Sequence, residues 1–170
     1  MKSKFVAIGG LIAAFLIPVS NARTFSFKLS NSVEITAIEE KFVPLEHHLS
    51  GCVAYQNCKV DGVIAIGSIG VPKSVLSSVV VKTGTKEYTL DTSGMFDPFM
   101  SPDGVKRNFG GFCSDENNCA FRAALGDAGG IHVAEWVIKN GKSWRTILSD
   151  SQDLVGFFFE KQNLTPPKYN

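Results

Sequence analysis

Apolar and polar positions alternate with a period of two along much of this chain, the pattern of strands with one face buried. Phe25, Phe27 and Leu29 alternate with Ser26 and Lys28. After a turn at residues 29–32, Val33, Ile35 and Ala37 resume the alternation. Pro44 excludes a helix through the middle of residues 38–49 and leaves room only for a short one on either side. Residues 60–69 are an apolar run punctuated by Gly62 and Gly67 and closed by Gly70 and Pro72, which reads as a buried strand.

Two hairpins follow from turn chemistry. Residues 75–82 are rich in β-branched side chains and 87–91 form a second strand. Gly84-Thr85 between them suits a Gly-first type II′ turn. That register sets Val79 opposite Leu90, Val81 opposite Tyr88 and Lys82 opposite Glu87. Further on, Asn140-Gly141 is a strong turn signal between residues 131–138 and 143–148. It pairs Val137 with Trp144, Glu135 with Thr146 and Val133 with Leu148. The other face carries Ala134 against Ile147 and Trp136 against Arg145, the last as a cation–π pair. Both faces are partly apolar, so this hairpin is expected to be covered on both sides.

The period changes near the C-terminus. Leu154, Phe157 and Phe158 fall at i, i+3 and i+4, with Val155 and Phe159 beside them, which predicts a helix packed on the sheet. Ser149 and Gln152 form a capping-box pattern, and Asp150 and Asp153 suit the positive end of the helix dipole. Pro166-Pro167 ends the element and leaves an extended tail. The predicted class is mainly β, with α+β character only at the C-terminus. It is a single-domain β-sandwich or barrel-like antiparallel sheet with a C-terminal helix packed on it. Residues 23–162 form that β-rich domain and 163–170 the tail.

Residues 1–22 read as a signal peptide. Lys2 and Lys4 precede an apolar run over residues 5–19, Pro18 breaks it, and Ser20-Asn21-Ala22 gives a small-x-small cleavage pattern before Arg23. The run is short for a membrane span, which needs about 20 apolar residues. No cysteine follows the cut to carry a lipid. The expected location is therefore periplasmic or secreted, without membrane insertion once the signal is removed. Removal leaves 148 of the 170 residues, enough for one sizeable core. Of the 17 lysines and arginines, Lys2 and Lys4 leave with the signal, so 15 remain against 16 acids. Such a balance lacks the basic field that nucleic acid or an anionic membrane requires.

Four cysteines form two similar segments, Cys52 to Cys58 and Cys113 to Cys119, each with five intervening residues. In an exported chain an even count favours disulfides. Zinc ligands usually stand two to four residues apart, and no Cys-x-x-Cys is present to tune a thiolate. Of three possible connectivities the two local bridges, Cys52–Cys58 and Cys113–Cys119, are expected. Each would stabilise by about 2 kcal/mol through loop closure, pinning loops without creating the fold.

Catalytic signals are sparse. Ser68 lies in Ile66-Gly67-Ser68-Ile69-Gly70, which lacks the first glycine of a nucleophile elbow. No phosphate-binding or dinucleotide motif appears. His47 and His48, beside Glu46, would diverge in a strand and so not share a metal readily, even with His132. Asp115-Glu116-Asn117-Asn118 lacks the ligand spacing of a calcium loop. It reads as a solvated, disulfide-held turn whose acidic edge could meet a basic partner. Glu135 stands between Val133 and Val137, where burial would raise its pKa as in a general acid, with Thr146 as its cross-strand partner. No second catalytic group accompanies it, and a structural role is expected. No catalytic, metal or cofactor residue is assigned, and an enzyme is not expected.

The segment 94–104 mixes two prolines and two glycines with Met95, Phe96, Phe99 and Met100. These side chains either plug an open end of the sheet or anchor an interface, and Phe109 and Phe112 would extend either role. Met95, Phe96, Asp97, Phe99 and Met100, with Asp115 and Glu116, are the candidate partner-binding residues. The function expected is an exported protein-binding module, an inhibitor or immunity protein neutralising a cell-wall-directed enzyme or toxin. The alternatives are a small-molecule or lipid carrier with a barrel-like cavity, and a hydrolase using Glu135, His132 or Glu46 without a recognisable motif.

Overall fold

The computed structural model describes residues 21–29, 33–53 and 58–160. Most of the expected signal segment, the turn at 30–32 and the tail at 163–170 lie outside the described residues. Thirteen elements follow one another as β1 (Arg23–Lys28), β2 (Glu34–Lys41), β3 (Leu49–Ser50), β4 (Lys59–Val60), β5 (Val63–Ile64), β6 (Ser74–Thr83), β7 (Lys86–Leu90), α1 (Pro102–Asn108), β8 (Phe109–Asp115), β9 (Asn118–Leu125), β10 (His132–Lys139), β11 (Lys142–Ser149) and α2 (Gln152–Glu160). Short 3-10 turns add Pro44–Glu46 and Ala128–Gly130.

The strands form two four-stranded antiparallel sheets, ordered β1-β2-β6-β7 and β11-β10-β9-β8, and a small sheet β3-β4-β5. Alternation explains how the large sheets pack. Phe27, Ile35, Ala37, Val79, Val81 and Leu90 face inward from the first. Phe109, Phe121, Ala123, Leu125, Ala134, Trp136 and Ile138 face them from the second, in one continuous core with Leu76, Met95 and Met100. The result is a sandwich and not a closed barrel. Trp136 is fully buried and donates its indole N–H to the Asp91 carbonyl at 2.8 Å. On the outer face of the second sheet, α2 lays Val155 and Phe158 on Ala124 and Val133. The β10–β11 hairpin is thus covered on its inner face and, toward one end, on its outer face.

The β6–β7 register pairs Val79 with Leu90, Val81 with Tyr88 and Lys82 with Glu87, as the turn chemistry predicts. In β10–β11, Asn140 and Gly141 both have positive φ (52° and 74°), the conformation of a type I′ turn. Val137–Trp144 and Trp136–Arg145 pair as predicted. A bulge then shifts the ladder, so Glu135 registers with Ile147 and Val133 with Ser149. Thr146 still donates its hydroxyl to Glu135 Oε1 at 2.8 Å. Arg145 does not stack on Trp136 as expected. It reaches the Ser93 and Asp91 carbonyls and pairs with the Asp91 carboxylate.

Four regions differ from expectation. Residues 60–69 are not one buried strand: β4 and β5 are two-residue strands joined by Asp61-Gly62, and Val63 and Ile64 are exposed. Both turn residues have positive φ (53° and 83°), the type I′ geometry that an Asp-Gly pair favours. The β8–β9 hairpin was not read from the pattern. α1 follows Ser101, whose Oγ accepts the Gly104 N–H at 3.0 Å, with Pro102 in the first turn. At α2 the helix begins two residues later than a capping box at Ser149 requires. Ser149 Oγ takes the N–H of Ser151, and Ser151 supplies the carbonyl for Val155. Phe157 and Phe159 remain 42% and 44% exposed, so α2 buries a narrower stripe than its sequence suggests.

Both expected disulfides are present, Cys52–Cys58 in the small-sheet region and Cys113–Cys119 across the β8–β9 ladder. The second sits at an end of the sandwich made of hairpin tips. There Glu116 accepts the Thr85 N–H and hydroxyl, and Tyr88 donates its hydroxyl to the Glu116 carbonyl. The Gly141 N–H reaches the Asn117 carbonyl. Turns from both sheets are thereby tied together.

Candidate functional site

The opposite end of the sandwich is built from longer loops, residues 65–73, 94–101 and 126–131, joined by backbone hydrogen bonds. Ile66 donates to the Gly94 carbonyl (2.9 Å), Phe96 to that of Ile66 (3.0 Å) and Gly126 to that of Pro98 (2.9 Å). Two buried carboxylates fix the middle loop. Asp97 Oδ1 accepts the Lys73 and Ser74 N–H groups at 2.8 and 2.9 Å. Glu39 accepts the Ser74 hydroxyl at 2.7 Å, the Met100 N–H at 3.3 Å and Arg23 Nη2 at 2.9 Å.

Held in this way, the loops adopt backbone conformations that L-residues rarely take. Asp97, Phe99 and Ala128 have φ of 45°, 47° and 37°. Such positions cost of order 1–3 kcal/mol each and persist only where surrounding contacts over-determine them. Among the described residues the other two non-glycine examples, Asp61 and Asn140, belong to two-residue hairpin turns. Away from those turns, the strain is concentrated at the loop end.

What the loops present is apolar. Ile69 (57% exposed), Val71 (42%) and Phe99 (47%) surround a concavity of about 200 Å³, with Lys73, Asp97 and residues 127–130 completing its wall. Gly67 and Gly130 form part of that wall, and both are required there. A Cβ on Gly67 would overlap the His132 ring and the Phe96 carbonyl, and one on Gly130 would overlap the Gly67 carbonyl. His132 lies behind Gly67, fully buried, with Nδ1 3.2 Å from the Gly130 carbonyl and no partner for Nε2. Burial pushes its pKa below the usual histidine value, against smaller opposing contributions from Gly130, Asp150 and Asp97.

The candidate partner-binding residues divide accordingly. Met95, Phe96, Asp97 and Met100 are buried, as for a loop that plugs the end of a sheet, while Phe99 reaches solvent. Asp115 and Glu116 lie at the other end of the molecule. Glu116 serves the latch to Thr85, and Asp115 is held below the usual carboxylate range by the Asn117 N–H and Asn118. Ile69, Val71, Lys73 and Asp127 are the members the sequence reading missed. Gly67, Gly70 and Pro72 are loop signals that could have found that stretch, but the apolar run over residues 60–69 reads as a buried strand.

The candidate acids and histidines are not brought together. Glu135 is buried under α2, between Arg122 (Nε to Oε2, 2.6 Å) and Thr146. His132 points to the inner face of the same sheet. Glu46 is exposed on a 3-10 turn beside the small sheet. Next to it, the carboxylate of Asp61 lies 2.7 Å from His47 Nδ1, and this hydrogen bond holds Asp61 below the usual carboxylate range. His47 in turn stacks on Phe42, with ring centroids 4.7 Å apart. Among the described residues no group of three or more His, Cys, Asp or Glu side chains is placed to hold a metal ion. No described helix is long and apolar enough to cross a membrane. No protein-family model, curated protein or solved structure matches this chain.

Proposed function

We propose that this chain is a protein-binding module that works in an oxidising compartment outside the cytoplasm and grips its partner at the loop end of the sandwich. The observation that carries this reading is the exposed trio Ile69, Val71 and Phe99 on loops fixed by buried carboxylates and strained backbone. Loops ordered before binding reduce the entropy lost on association, and exposed aromatic side chains are common interface anchors. A concavity of about 200 Å³ suits one or two side chains of a partner. Small-molecule sites usually enclose about 300–1,000 Å³, and the sandwich interior is filled by its own side chains. These dimensions favour a binding module over a carrier.

The two disulfides suit an oxidising environment, and the N-terminal signal pattern makes the periplasm or the cell exterior the finer reading. Within that setting the leading class is an inhibitor or immunity protein directed at a cell-wall hydrolase or delivered toxin. The test is affinity capture with the oxidised chain against a panel of wall hydrolases and toxins. A single stoichiometric partner is expected, with affinity falling at least about tenfold in Phe99→Asp and Ile69→Asp. Leu45→Asp, at an exposed site on the Pro44–Glu46 turn, should leave capture unchanged. Equal capture by all variants, or no partner from the panel, overturns the reading.

A further inference from the structure

We propose that the cleft between the small sheet and β6 is a second binding site, one that takes a small, uncharged aromatic molecule bearing a hydroxyl group. The small sheet is fixed at its root by backbone bonds, Ala65 N–H to the Cys58 carbonyl at 2.8 Å and Ile66 N–H to that of Gly94 at 2.9 Å. Between Val60, Asp61 and Val63 of this sheet and Val75 and Ser77 of β6 lies a space of about 280 Å³. That is more than the loop-end concavity offers. A dry cavity of about 150 Å³ suffices to hold benzene, so one ring with a substituent fits here.

The wall selects the ligand. Phe42 and Phe96 meet edge to face with centroids 5.6 Å apart, and His47 stacks on Phe42, so three rings line the cleft together. Such a wall takes a further ring in offset or edge-on contact. The polar groups in it are arranged to accept. The Asp61 carboxylate accepts the His48 N–H at 2.8 Å and lies 2.7 Å from His47 Nδ1. An ionised carboxylate only accepts, so Nδ1 carries the proton, and in the neutral ring Nε2 is left with a lone pair. Nε2 makes no hydrogen bond among the described residues. Ser77 and Ser93 donate their hydroxyls to the Ile38 carbonyl and the Asp91 carboxylate. Among the described residues no lysine or arginine lines the space. An anion would meet Asp61 without a counter-charge, whereas a hydroxyl finds an acceptor at Nε2. A few placed polar groups in an apolar cleft are the usual makeup of a small-molecule site.

The site stands apart from the loop-end reading, since Ile69, Val71 and Phe99 take no part in its wall. The test follows backbone amide shifts of the oxidised full chain at pH 8 during titration with para-cresol, toluene and para-toluate. These probes share one ring and differ in the polar group. Para-cresol should give saturable shifts centred on His48, Val63, Ser77 and Gly94, with a Kd of about 1 mM or tighter. Toluene and para-toluate should bind at least about tenfold more weakly. His47→Phe keeps a ring on Phe42 and removes the acceptor, so affinity for para-cresol should fall at least about tenfold. Val63→Trp, at a site 48% exposed, should fill the mouth of the cleft and abolish binding without disturbing the core. Shifts that do not saturate, equal binding of toluene or para-toluate, or unchanged affinity in either variant overturns the proposal.

Discussion

Arg122 and Glu135 face each other across the β9–β10 ladder, each under 8% exposed. Taking two charges out of water is costly, and the pair is supported on both sides: Thr146 donates to the carboxylate and the Phe158 ring lies against the guanidinium. Removing one partner strands the other. Arg122→Met is expected to lower stability by about 3–5 kcal/mol in urea unfolding, while Arg122→Met/Glu135→Leu recovers most of that loss. Equal destabilisation in the single and double variants would refute the account. His132 makes a different prediction. Burial depresses its pKa in the folded state, so below about pH 6.5 the unfolded chain binds a proton that the folded chain resists. Stability should therefore be level above that pH and fall as pH drops below it, by up to about 1.4 kcal/mol per pH unit. Thermal melts from pH 7.5 to 5.0 should show this slope, and His132→Gln should reduce it.

At the scale of elements, glycine position separates two kinds of turn. Gly62 has open space where a Cβ would go, so Gly62→Ala should cost only the left-handed backbone penalty, about 1–2 kcal/mol. Gly84 has the same kind of φ, but a Cβ there would strike the Glu116 carboxylate that holds Thr85. Gly84→Ala should therefore cost more than Gly62→Ala and raise amide exchange at Thr85; equal costs would mean the latch contributes nothing. The same distinctions explain what the sequence made legible. Gly84-Thr85 and Asn140-Gly141 sit between long apolar alternations, so both hairpins could be placed. The register of the second held only as far as the bulge at Glu135–Trp136, because the extra residue on β11 breaks the pairing that the turn sets. Asp61-Gly62 carried an equally good turn signal, but its strands are two residues long and their apolar run suggested burial. β9 reads Cys-Ala-Phe-Arg-Ala-Ala-Leu, with small residues on both faces and no polar alternation, so it escaped notice. With it went Arg122, the partner of Glu135. Phe99 was visible as one aromatic among several; its exposure depends on Asp97 tying their shared loop to Lys73 and Ser74 and on Glu39 reaching Met100 from β2.

For the whole molecule, the two ends have different construction: tied hairpin tips at one, strained loops around an apolar concavity at the other. The disulfides are expected to support this arrangement without creating it. Replacing Cys52 and Cys58 by serine should lower stability by about 2 kcal/mol, by loop entropy, yet leave the sandwich folded in near-ultraviolet circular dichroism. Loss of the folded spectrum would show that the small sheet is needed for the main core. The sandwich is also unequal at its sides. β7 and β11 lie against each other on one, whereas on the other α1 packs against both β1 and β8, the remaining edge strands. Seven residues, begun by one serine cap, thus stand between two rows of open backbone donors and acceptors and any neighbouring chain. Should that short helix unwind, those rows become templates for strand addition, so a neighbouring strand could add at this side only after the helix that Ser101 caps has given way.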